Sequence, residues 1–563
     1  MRDLALAWRQ TRWQLVLAAA TVAVAALSMI LVLNDTKYPD LPGRLFIFRY
    51  LLRTQDVAGS ILAIAITLGA LLPRTRSTVL DFIDVLSRNP WRVAAATFVV
   101  LCAATWVVTR HHALAGDEHL AIFQSRIFAA GHLSGQYPPD LVAWLVPTWY
   151  QSRWIIASEA TGAVASVYWP GFALMLAPFS LLGAPWACNP LLASLSLVLM
   201  ARLAARLTGN AQAGGWAMLF ALGSPGFSAM ALSYFSMTAH LFLNLVFAWL
   251  MLKGGTRWLI AAGVVGSFAL VQSNPVPHIL FALPWIVWLG RSAGARRNLL
   301  ALAAGYAPLT LVLGLGWWLF LRALQGPQMV SPYPPDDDLL HRLTNLAWYL
   351  LLELRTSFSI SGENLELRLW EQVRLWSWAV PGLPLLAATG WWLNRRVTGL
   401  NLFAGSLLAT LLGYVVLSYD QGYGWGARYV HPAWSALPIL AAAAMVSTPD
   451  DQGERLRSTV ARMALLSLVF ATALRFFQIR LFMEEQLALQ PPFENGRRQI
   501  VFIVPNGEYY TQDFVQNDPF LRAPVIFMMS RGLKRDFETV IQRRFPGARM
   551  TYIGPNGYVW RLE

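Results

Sequence analysis

The sequence has very few cysteines and few charged residues. Only 2 of its 563 residues are cysteines, Cys102 and Cys188. Both lie in or beside apolar runs, which argues against a disulfide framework and against a cysteine metal site. Charged residues make up 13% of the chain, against about 25% in soluble proteins. Apolar runs long enough to cross a bilayer recur along most of the length, so the sequence predicts an α-helical, polytopic membrane protein.

Acidic residues are scarcer than basic ones: 30 Asp and Glu stand against 44 Lys and Arg, a net charge of +14. Most arginines lie in short loops between apolar runs, which the positive-inside rule explains without a nucleic-acid partner. That rule places the N-terminus in the cytoplasm and the long polar segments 110–186, 323–375 and 481–563 on the outer side. The richness in Ala, Arg, Leu and Trp suggests a bacterial inner membrane, with these segments in the periplasm.

Thirteen membrane spans are predicted from the apolar runs, near 13–33, 57–72, 92–109, 187–207, 213–232, 235–252, 257–273, 278–290, 299–322, 376–393, 400–418, 430–447 and 459–479. Residues 1–91 would hold two N-terminal spans with an interfacial loop at 34–56, and residues 92–480 a membrane module. No internal repeat is visible, whereas many transporters are built from repeats with interrupted helices.

The composition changes in the tail, residues 481–563. The stretches "RQIVFIVP", "APVIFMMS", "RMTYIG" and "GYVWRL" predict strands, and "LKRDFETVIQRRF" predicts an amphipathic helix. We therefore expect a small α/β domain outside the membrane. The tail contains no nucleotide-phosphate loop, so an acceptor-docking or structural role is expected for it.

Acids are also lacking in the middle of the predicted spans, where ion or proton relays would need them. The pair Asp117-Glu118 instead follows the third span and opens a predicted helix, 118–130, at the start of the long segment 110–186. Two interpretations are open. Asp117 could be an N-cap with Glu118 complementing the helix dipole, or a carboxylate at this interface could take the proton of an acceptor hydroxyl.

Several motifs in this order resemble a known family of membrane enzymes. After Asp117-Glu118 come "YWPGFALMLAPFSLLG" (168–183), a span that ends "ARLAARLTG", and later "GYGWGARYVHP" (422–432). Together with the topology, these resemble the GT-C glycosyltransferases, in particular the protein O-mannosyltransferase and aminoarabinose transferase-like branch. The resemblance covers roughly residues 90–480 and implies a GT-C-like catalytic module in 92–480.

The resemblance implies inverting transfer of a sugar from a polyprenyl-phosphate carrier to an acceptor glycan, lipid or protein outside the cytoplasm. In that family an acid of the first outer loop is the catalytic base, a role that carries over to Asp117, with Glu118 as its neighbour. One base suffices for a single displacement through an oxocarbenium-like state. A donor with a single phosphate does not demand a divalent cation, so no metal or other cofactor is expected, although some relatives use one.

The candidate phosphate-binding residues are Arg428, with Tyr429 and His431 beside it, and Arg126. A leaving phosphate needs cationic donors more than a general acid, and the neighbouring glycines would let the backbone approach a ligand. Arg428 could instead be a basic turn that reaches lipid headgroups, and Arg126 could form a structural salt bridge.

The sequence departs from the family pattern in two places. Relatives often carry a Lys before the Pro of the "YWPG" region, where this chain has Tyr168 and Trp169, and a second acid in the next outer turn, where the nearest polar residue is His240. Tyr168, His240 and His278 are therefore possible polar site residues. Both histidines could equally be satisfied structural groups near span ends.

Two other functions remain open at this stage. A polysaccharide ligase or polymerase with a pyrophosphate-linked donor would use Arg and His of a large outer loop and would tolerate Asp117→Asn. A flippase or transporter of lipid-linked glycans would need polar residues along a path through the spans, and the sequence has few of these.

Overall fold

The computed structural model describes residues 2–35, 50–72, 77–151, 154–325, 362–417, 424–448, 450–505 and 511–562. Most of the predicted outer segment 323–375, most of the loop 34–56 and Gly422 lie outside these residues. Within them the protein is a bundle of helices with two small β-sheets at one end.

Seven stretches of helix in the described residues are long and apolar enough to cross a membrane: Arg12–Leu31, Arg53–Leu71, Pro90–Val107, Pro185–Thr208, Ala295–Leu324, Thr398–Val415 and Gly453–Leu487. Shorter apolar helices are Gly171–Leu181, Met237–Lys253, Thr256–Leu270, Val276–Gly290 and Leu383–Leu393. The chain is thus a multi-pass membrane protein, and the total of thirteen spans stays a prediction. Further helices are Ser77–Arg88, Gly116–Ala129, Val142–Leu145, Gln212–Leu222, Pro225–Ala231, Gly362–Ser377 and Ala436–Ser447.

Two predicted spans are interrupted in the structure. The run 213–232 is split into Gln212–Leu222 and Pro225–Ala231, because Pro225 has no amide hydrogen to continue the first helix and instead starts the second. The run 376–393 is split between Gly362–Ser377 and Leu383–Leu393. There Gly382 adopts φ of 76°, a left-handed conformation that glycine takes at little cost.

A buried ion cluster joins three helices that are distant in sequence. The carboxylate of Asp56 lies 3.1 Å from Arg374 and 3.1 Å from Arg475, and these three side chains are at most 1% exposed. Trp378 donates its indole N–H to Asp56 over 2.6 Å. Arg475 belongs to the last candidate span and Asp56 to the second. By hydropathy alone, both spans would be predicted to end near these charged residues. The helices continue through them because the charges pair with each other.

The segment 110–186 carries a small antiparallel sheet beside the helix Gly116–Ala129. Its strands are Gly135–Gln136, Ala163–Ser166 and Ile155–Ala157, with Ala163–Ser166 in the centre. The amide of Ser166 donates to the side chain of Gln124 over 3.0 Å, which ties the sheet to the helix. The chain that leaves this strand therefore runs close to the start of the helix.

The tail forms a four-stranded sheet from Gln499–Ile503, Val525–Met529, Arg549–Gly554 and Gly557–Arg561, together with a helical stretch from Leu533 to Arg544. Strand Gln499–Ile503 pairs parallel with Val525–Met529 and antiparallel with Gly557–Arg561. The predicted strands and helix lie at these places.

The two faces of the tail sheet pack against different partners, because successive side chains of a strand alternate. Ile500 and Phe502 pack into one hydrophobic cluster with Leu120 and Phe123 of the helix Gly116–Ala129. Val501 and Ile503 pack with other tail residues. The tail sheet and the segment 110–186 therefore share a core on the same end of the helical bundle.

Candidate active site

The helix that carries the acidic pair begins at Gly116 and ends at Ala129. Ala115 occupies the N-cap position in an extended conformation and makes no side-chain capping bond. Asp117 lies inside the first turn, so the N-cap interpretation of Asp117 is wrong. Because the helix starts before Asp117, its carboxylate does not cap the helix and is available to other partners.

Asp117 binds two side chains that come from distant parts of the sequence. The hydroxyl of Tyr168 donates to Oδ1 over 2.6 Å, and Arg428 donates from a terminal guanidinium nitrogen to Oδ2 over 2.7 Å. The side chains of Asp117 and Arg428 are 22% and 14% exposed. Both carboxylate oxygens are thus engaged by charge-assisted or hydroxyl hydrogen bonds at a partly open position.

Electrostatics tie these three groups together. Burial alone would lower the pKa of Arg428, but the carboxylate of Asp117 and the neighbouring tyrosines outweigh it, so the pKa is raised and the guanidinium stays charged. Burial and the Asp117 carboxylate together raise the pKa of Tyr168, so its hydroxyl remains a proton donor. The guanidinium also lies over the ring of Phe235, 3.7 Å from its centroid, which adds a cation–π contact.

A cavity of about 190 Å³ opens beside Asp117. It lies where loops meet the ends of helices, and its wall combines aromatic, hydroxyl and amide side chains with the pair Asp117 and Arg428. The lining residues are Asp117, Leu120, Ala121, Gln124, Ser166, Tyr168, Trp169, Phe172, Ala173, Tyr234, Phe235, Ser236, Met237, Gln272, Ser273, Asn274, Arg428 and Tyr429. Such a concave pocket with a few convergent polar groups is typical of small-molecule sites.

Glu118 faces the protein interior and is not among these lining residues. It is 3% exposed, and its two oxygens accept the amides of Leu114 over 3.0 Å and Tyr234 over 2.8 Å. Burial raises the pKa of Glu118 to about 7, although both amide bonds favour the ionised form. Glu118 therefore joins the start of the helix to the turn that carries Tyr234 and Phe235 on the cavity wall.

The chain resembles known proteins in its fold and not in its sequence. No protein-family model matches the chain. No curated protein matches it in sequence either. The chain is similar to the crystal structure of ArnT from Cupriavidus metallidurans bound to undecaprenyl phosphate, with a TM-score of 0.52 and 15% identity over 84% of this chain and 98% of that one. ArnT is a GT-C glycosyltransferase. The chain has the GT-C fold.

The apo structure of the same ArnT is also similar, with a TM-score of 0.49 and 13% identity over 83% of this chain and 97% of that one. The similarity to the structure bound to undecaprenyl phosphate confirms, for the fold, the resemblance to the GT-C family that the motifs predicted. At sequence identities this low, the role of a residue cannot be transferred from one protein to the other. The roles of individual side chains are therefore argued from the geometry of this site.

Of the remaining candidates, only Tyr429 lies on the cavity wall. Its ring stacks on Tyr414 with centroids 4.8 Å apart. His431 is buried and lies against Phe227 and Trp434. Arg126 lies on the exposed side of its helix. Neither His431 nor Arg126 is among the lining residues of the cavity.

The two histidines of the central helices lie deeper in the GT-C fold. His278 is buried, and its ring nitrogens lie 2.7 Å from the Asn244 side chain and 2.7 Å from the Tyr306 hydroxyl. Asn244 in turn donates to the Pro432 carbonyl over 2.9 Å, so this network braces the chain just after Arg428. His240 is fully buried, and its ring nitrogens have no hydrogen-bond partner among the described residues.

Sequence reasoning missed a polar turn on the cavity wall and a pair of residues behind the start of the Asp117 helix. The polar residues Gln272, Ser273 and Asn274 line the cavity from the turn before Val276. Tyr150 and Asp513 lie behind the first residue of the Asp117 helix: one carboxylate oxygen of Asp513 accepts both the Gly116 amide and the Tyr150 hydroxyl. A short polar run before a helix is a weak sequence signal, and nothing in the tail sequence connects Asp513 with Gly116.

Proposed function

We propose that the protein is an inverting glycosyltransferase that moves a sugar from a polyprenyl-phosphate carrier to an acceptor lipid, glycan or protein. The observation that carries this proposal is the pair Asp117 and Arg428 on the wall of one cavity, at the end of a membrane bundle. The GT-C fold supports it, since the similar ArnT structure contains undecaprenyl phosphate. A general base and a cation at one membrane-proximal cavity are the two groups that such a displacement needs.

The chemistry is a single displacement at the anomeric carbon. The acceptor hydroxyl attacks that carbon, the bond from carbon to the phosphate oxygen breaks, and the phosphate leaves with the bonding electrons. Asp117 takes the hydroxyl proton as the new bond forms, which avoids a protonated intermediate. The configuration inverts because the acceptor and the leaving phosphate lie on opposite faces of the sugar.

Arg428 has two roles in this scheme. Before the donor binds, it holds Oδ2 of Asp117 over 2.7 Å. A donor phosphate competes for the same guanidinium, because arginine binds phosphate oxygens as well as carboxylates. As Arg428 turns to the phosphate, Oδ2 is released to accept the acceptor proton, while Tyr168 keeps Oδ1 oriented over 2.6 Å. Donor binding thus activates the base. In this proposal Tyr429, on the same wall, donates a further hydrogen bond to the phosphate.

In this proposal the apolar surfaces between the helices accommodate the polyprenyl chain, and the cavity and tail face the periplasm of a bacterial inner membrane. The positive-inside distribution of arginines supports that orientation. No divalent metal is required, since the leaving group carries a single phosphate. Among the described residues no group of three or more His, Cys, Asp or Glu is placed to hold a metal ion, and metal independence stays a prediction.

The decisive experiment is a transfer assay in membrane fractions with radiolabelled polyprenyl-phosphate sugars. Asp117→Asn should reduce transfer by about 100-fold or more, the contribution of a positioned base. The matched control is Asp140→Asn, because Asp140 forms an exposed ion pair with Arg544 and neither residue lines the cavity. Full transfer by a correctly inserted Asp117→Asn variant would rule out the base.

A parallel arm with pyrophosphate-linked sugars distinguishes the other enzyme class. Faster transfer from these donors, together with activity of Asp117→Asn, would identify a ligase or polymerase. Movement of an intact lipid-linked glycan across vesicles without any sugar transfer would identify a flippase.

A further inference from the structure

Resting on the function proposed above, we propose that Asp513 of the tail is a positioning residue for the catalytic base, so that the tail completes the active site. Asp513 caps the helix Gly116–Ala129 from 397 positions away in the sequence. The carboxylate takes the place of the capping side chain that Ala115 lacks. This assigns the tail a role in catalysis that does not involve substrate contact.

The first step is the contact itself. The Gly116 amide is one of the N–H groups at a helix start that have no partner within the helix. Asp513 accepts it, and the same oxygen accepts the hydroxyl of the buried Tyr150. A carboxylate at this end also complements the positive end of the helix dipole. Asp117 is the next residue, so whatever fixes Gly116 fixes the backbone from which the base projects.

The second step is the tightness of the packing around Gly116. A Cβ atom at this position would lie 2.6 Å from the Tyr150 hydroxyl and 3.0 Å from the Trp154 ring. Gln516 reinforces the arrangement, because its amide donates to the Ala113 carbonyl over 2.6 Å and to the Asp513 carbonyl over 2.8 Å. The start of the helix therefore packs tightly against Tyr150 and the tail, and there is little room for it to shift.

The third step is the way in which the tail is held on the segment 110–186. Trp144 donates its indole N–H to the buried Asp536 over 2.8 Å, and the backbone N–H of Gln136 donates to the Pro519 carbonyl over 2.8 Å. These bonds and the shared hydrophobic cluster fix the tail, in which Asp513 lies on the short helical turn Gln512–Phe514 between two strands of the sheet. A base displaced by about 1 Å loses on the order of 100-fold in rate, so this support matters for catalysis.

Charge makes the contact sensitive to pH. Burial and, to a smaller extent, the nearby Asp117 raise the pKa of Asp513 to about 6, although the hydrogen bonds from Tyr150 and Gly116 lower it. Above this pH the carboxylate accepts both donors. Below it, a proton occupies one acceptor position, and the hold on Gly116 weakens.

The test compares Asp513→Asn with the wild-type full-length protein in the transfer assay. We expect kcat to fall about 10- to 100-fold with donor KM changed less than about threefold, because the base is displaced while the cavity is intact. The inflection near pH 6 in the pH profile of kcat should disappear. Hydrogen exchange in residues 113–120 should become faster. Asp513→Glu should partly restore kcat.

The matched control is Asp518→Asn, since Asp518 caps a turn of the same tail and its hydrogen bonds go to Phe520 and Arg522. It should behave as wild type. If Asp513→Asn does not fold, Gly116→Ala gives the second test: the added methyl displaces Tyr150 and should lower kcat similarly. A folded Asp513→Asn or Gly116→Ala with wild-type kcat overturns the proposal, whatever its exchange rate.

Failure of the proposed function gives a different result. In that case Asp117→Asn transfers sugar as well as wild type. Faster hydrogen exchange at residues 113–120 in Asp513→Asn would then show that Asp513 stabilises the start of the helix. It would not show a role in catalysis, and the proposed positioning role would be wrong.

Discussion

Arg428 contacts a carboxylate and an aromatic face at the same time, and these contacts use different properties of its guanidinium. The terminal nitrogen binds Asp117 over 2.7 Å, while the planar group lies 3.7 Å from the ring centroid of Phe235. A lysine ammonium keeps the charge but has neither the fork geometry nor the flat face. The geometry of the site therefore depends on arginine in particular, and not only on a positive charge.

We expect Arg428→Lys to lower kcat/KM for the donor by about 10- to 100-fold and Arg428→Gln to lower it further, since a charge-assisted contact to phosphate contributes about 1.5–3 kcal/mol. The measurement is donor-dependent transfer by each variant. Arg126→Gln is the matched control, because Arg126 is exposed and does not line the cavity. Equal activity of Arg428→Lys and wild type would contradict the predicted role.

We expect the stability of the folded protein to depend on pH through Glu118. Its pKa is raised by burial from the unfolded value of 4.5 to about 7, so the folded protein binds a proton more tightly than the unfolded chain. This contribution to stability is complete below pH 4.5 and is lost as the pH rises through 7. The melting temperature of wild type should therefore fall relative to that of Glu118→Gln between pH 5 and 8, measured in detergent. Parallel curves for the two proteins would contradict the raised pKa.

At the scale of single residues, the chemical role of a side chain was easier to predict from the sequence than the residues it contacts. The positions of Asp117 and Arg428 in their motifs indicated a base and a cation, and the structure brings the two together. Tyr168 was a candidate only because it replaces a lysine of the relatives. His431 and Glu118 belong to motif-like stretches, yet both are buried and neither lines the cavity. The sequence does not show which side of a turn a residue faces.

Among the elements, the helices around Asp56 depend on a charge cluster and not on apolar packing alone. Asp56 is the carboxylate that faces both Arg374 and Arg475 inside the bundle. The cluster also supports the site from behind, because Arg374 donates to the Gly424 carbonyl over 3.3 Å and Trp378 stacks on Trp425. These contacts fix the chain that leads to Arg428.

Asp56→Asn should destabilise the protein by about 3–5 kcal/mol, since it removes the carboxylate that two buried guanidinium groups face. Thermal unfolding in detergent measures this loss. Asp140→Asn removes the carboxylate of an exposed ion pair and should change stability little, because solvent screens that pair. An Asp56→Asn variant as stable as Asp140→Asn would show that the cluster does not stabilise the bundle.

The boundaries of helices and strands were predictable where a local hydrophobic pattern or a single proline or glycine determines them. The short apolar, β-branched run in "RQIVFIVP", ended by a proline, indicated a strand, and the structure places one at Gln499–Ile503. The helix after the third span was predicted to start at Glu118 and starts at Gly116, because a tail carboxylate caps Gly116. A cap supplied from the other end of the chain leaves no local signal.

For the whole molecule, hydropathy and the order of motifs were sufficient to predict a multi-pass helical protein with the GT-C fold. They could not predict that one face of the tail sheet packs on the segment 110–186. Every strand of that sheet has apolar residues on both faces, and the sequence does not say which face covers another part of the chain. Long-range packing of this kind follows from shape complementarity, which composition does not encode.

The orientation of the whole molecule in the membrane gives the last prediction. Arg126 is exposed on the segment that carries the site, and Arg296 is exposed in the first turn of the helix Ala295–Leu309, beside the loop at the opposite ends of the helices. In a background with Cys102 and Cys188 replaced by Ser, we expect Arg126→Cys to react with a membrane-impermeant maleimide from the periplasmic side. Arg296→Cys should react only after the membrane is opened, because arginine-rich loops stay in the cytoplasm. The reverse labelling pattern would place the cavity and the tail in the cytoplasm, where a sugar acceptor of the cell envelope could not reach Asp117.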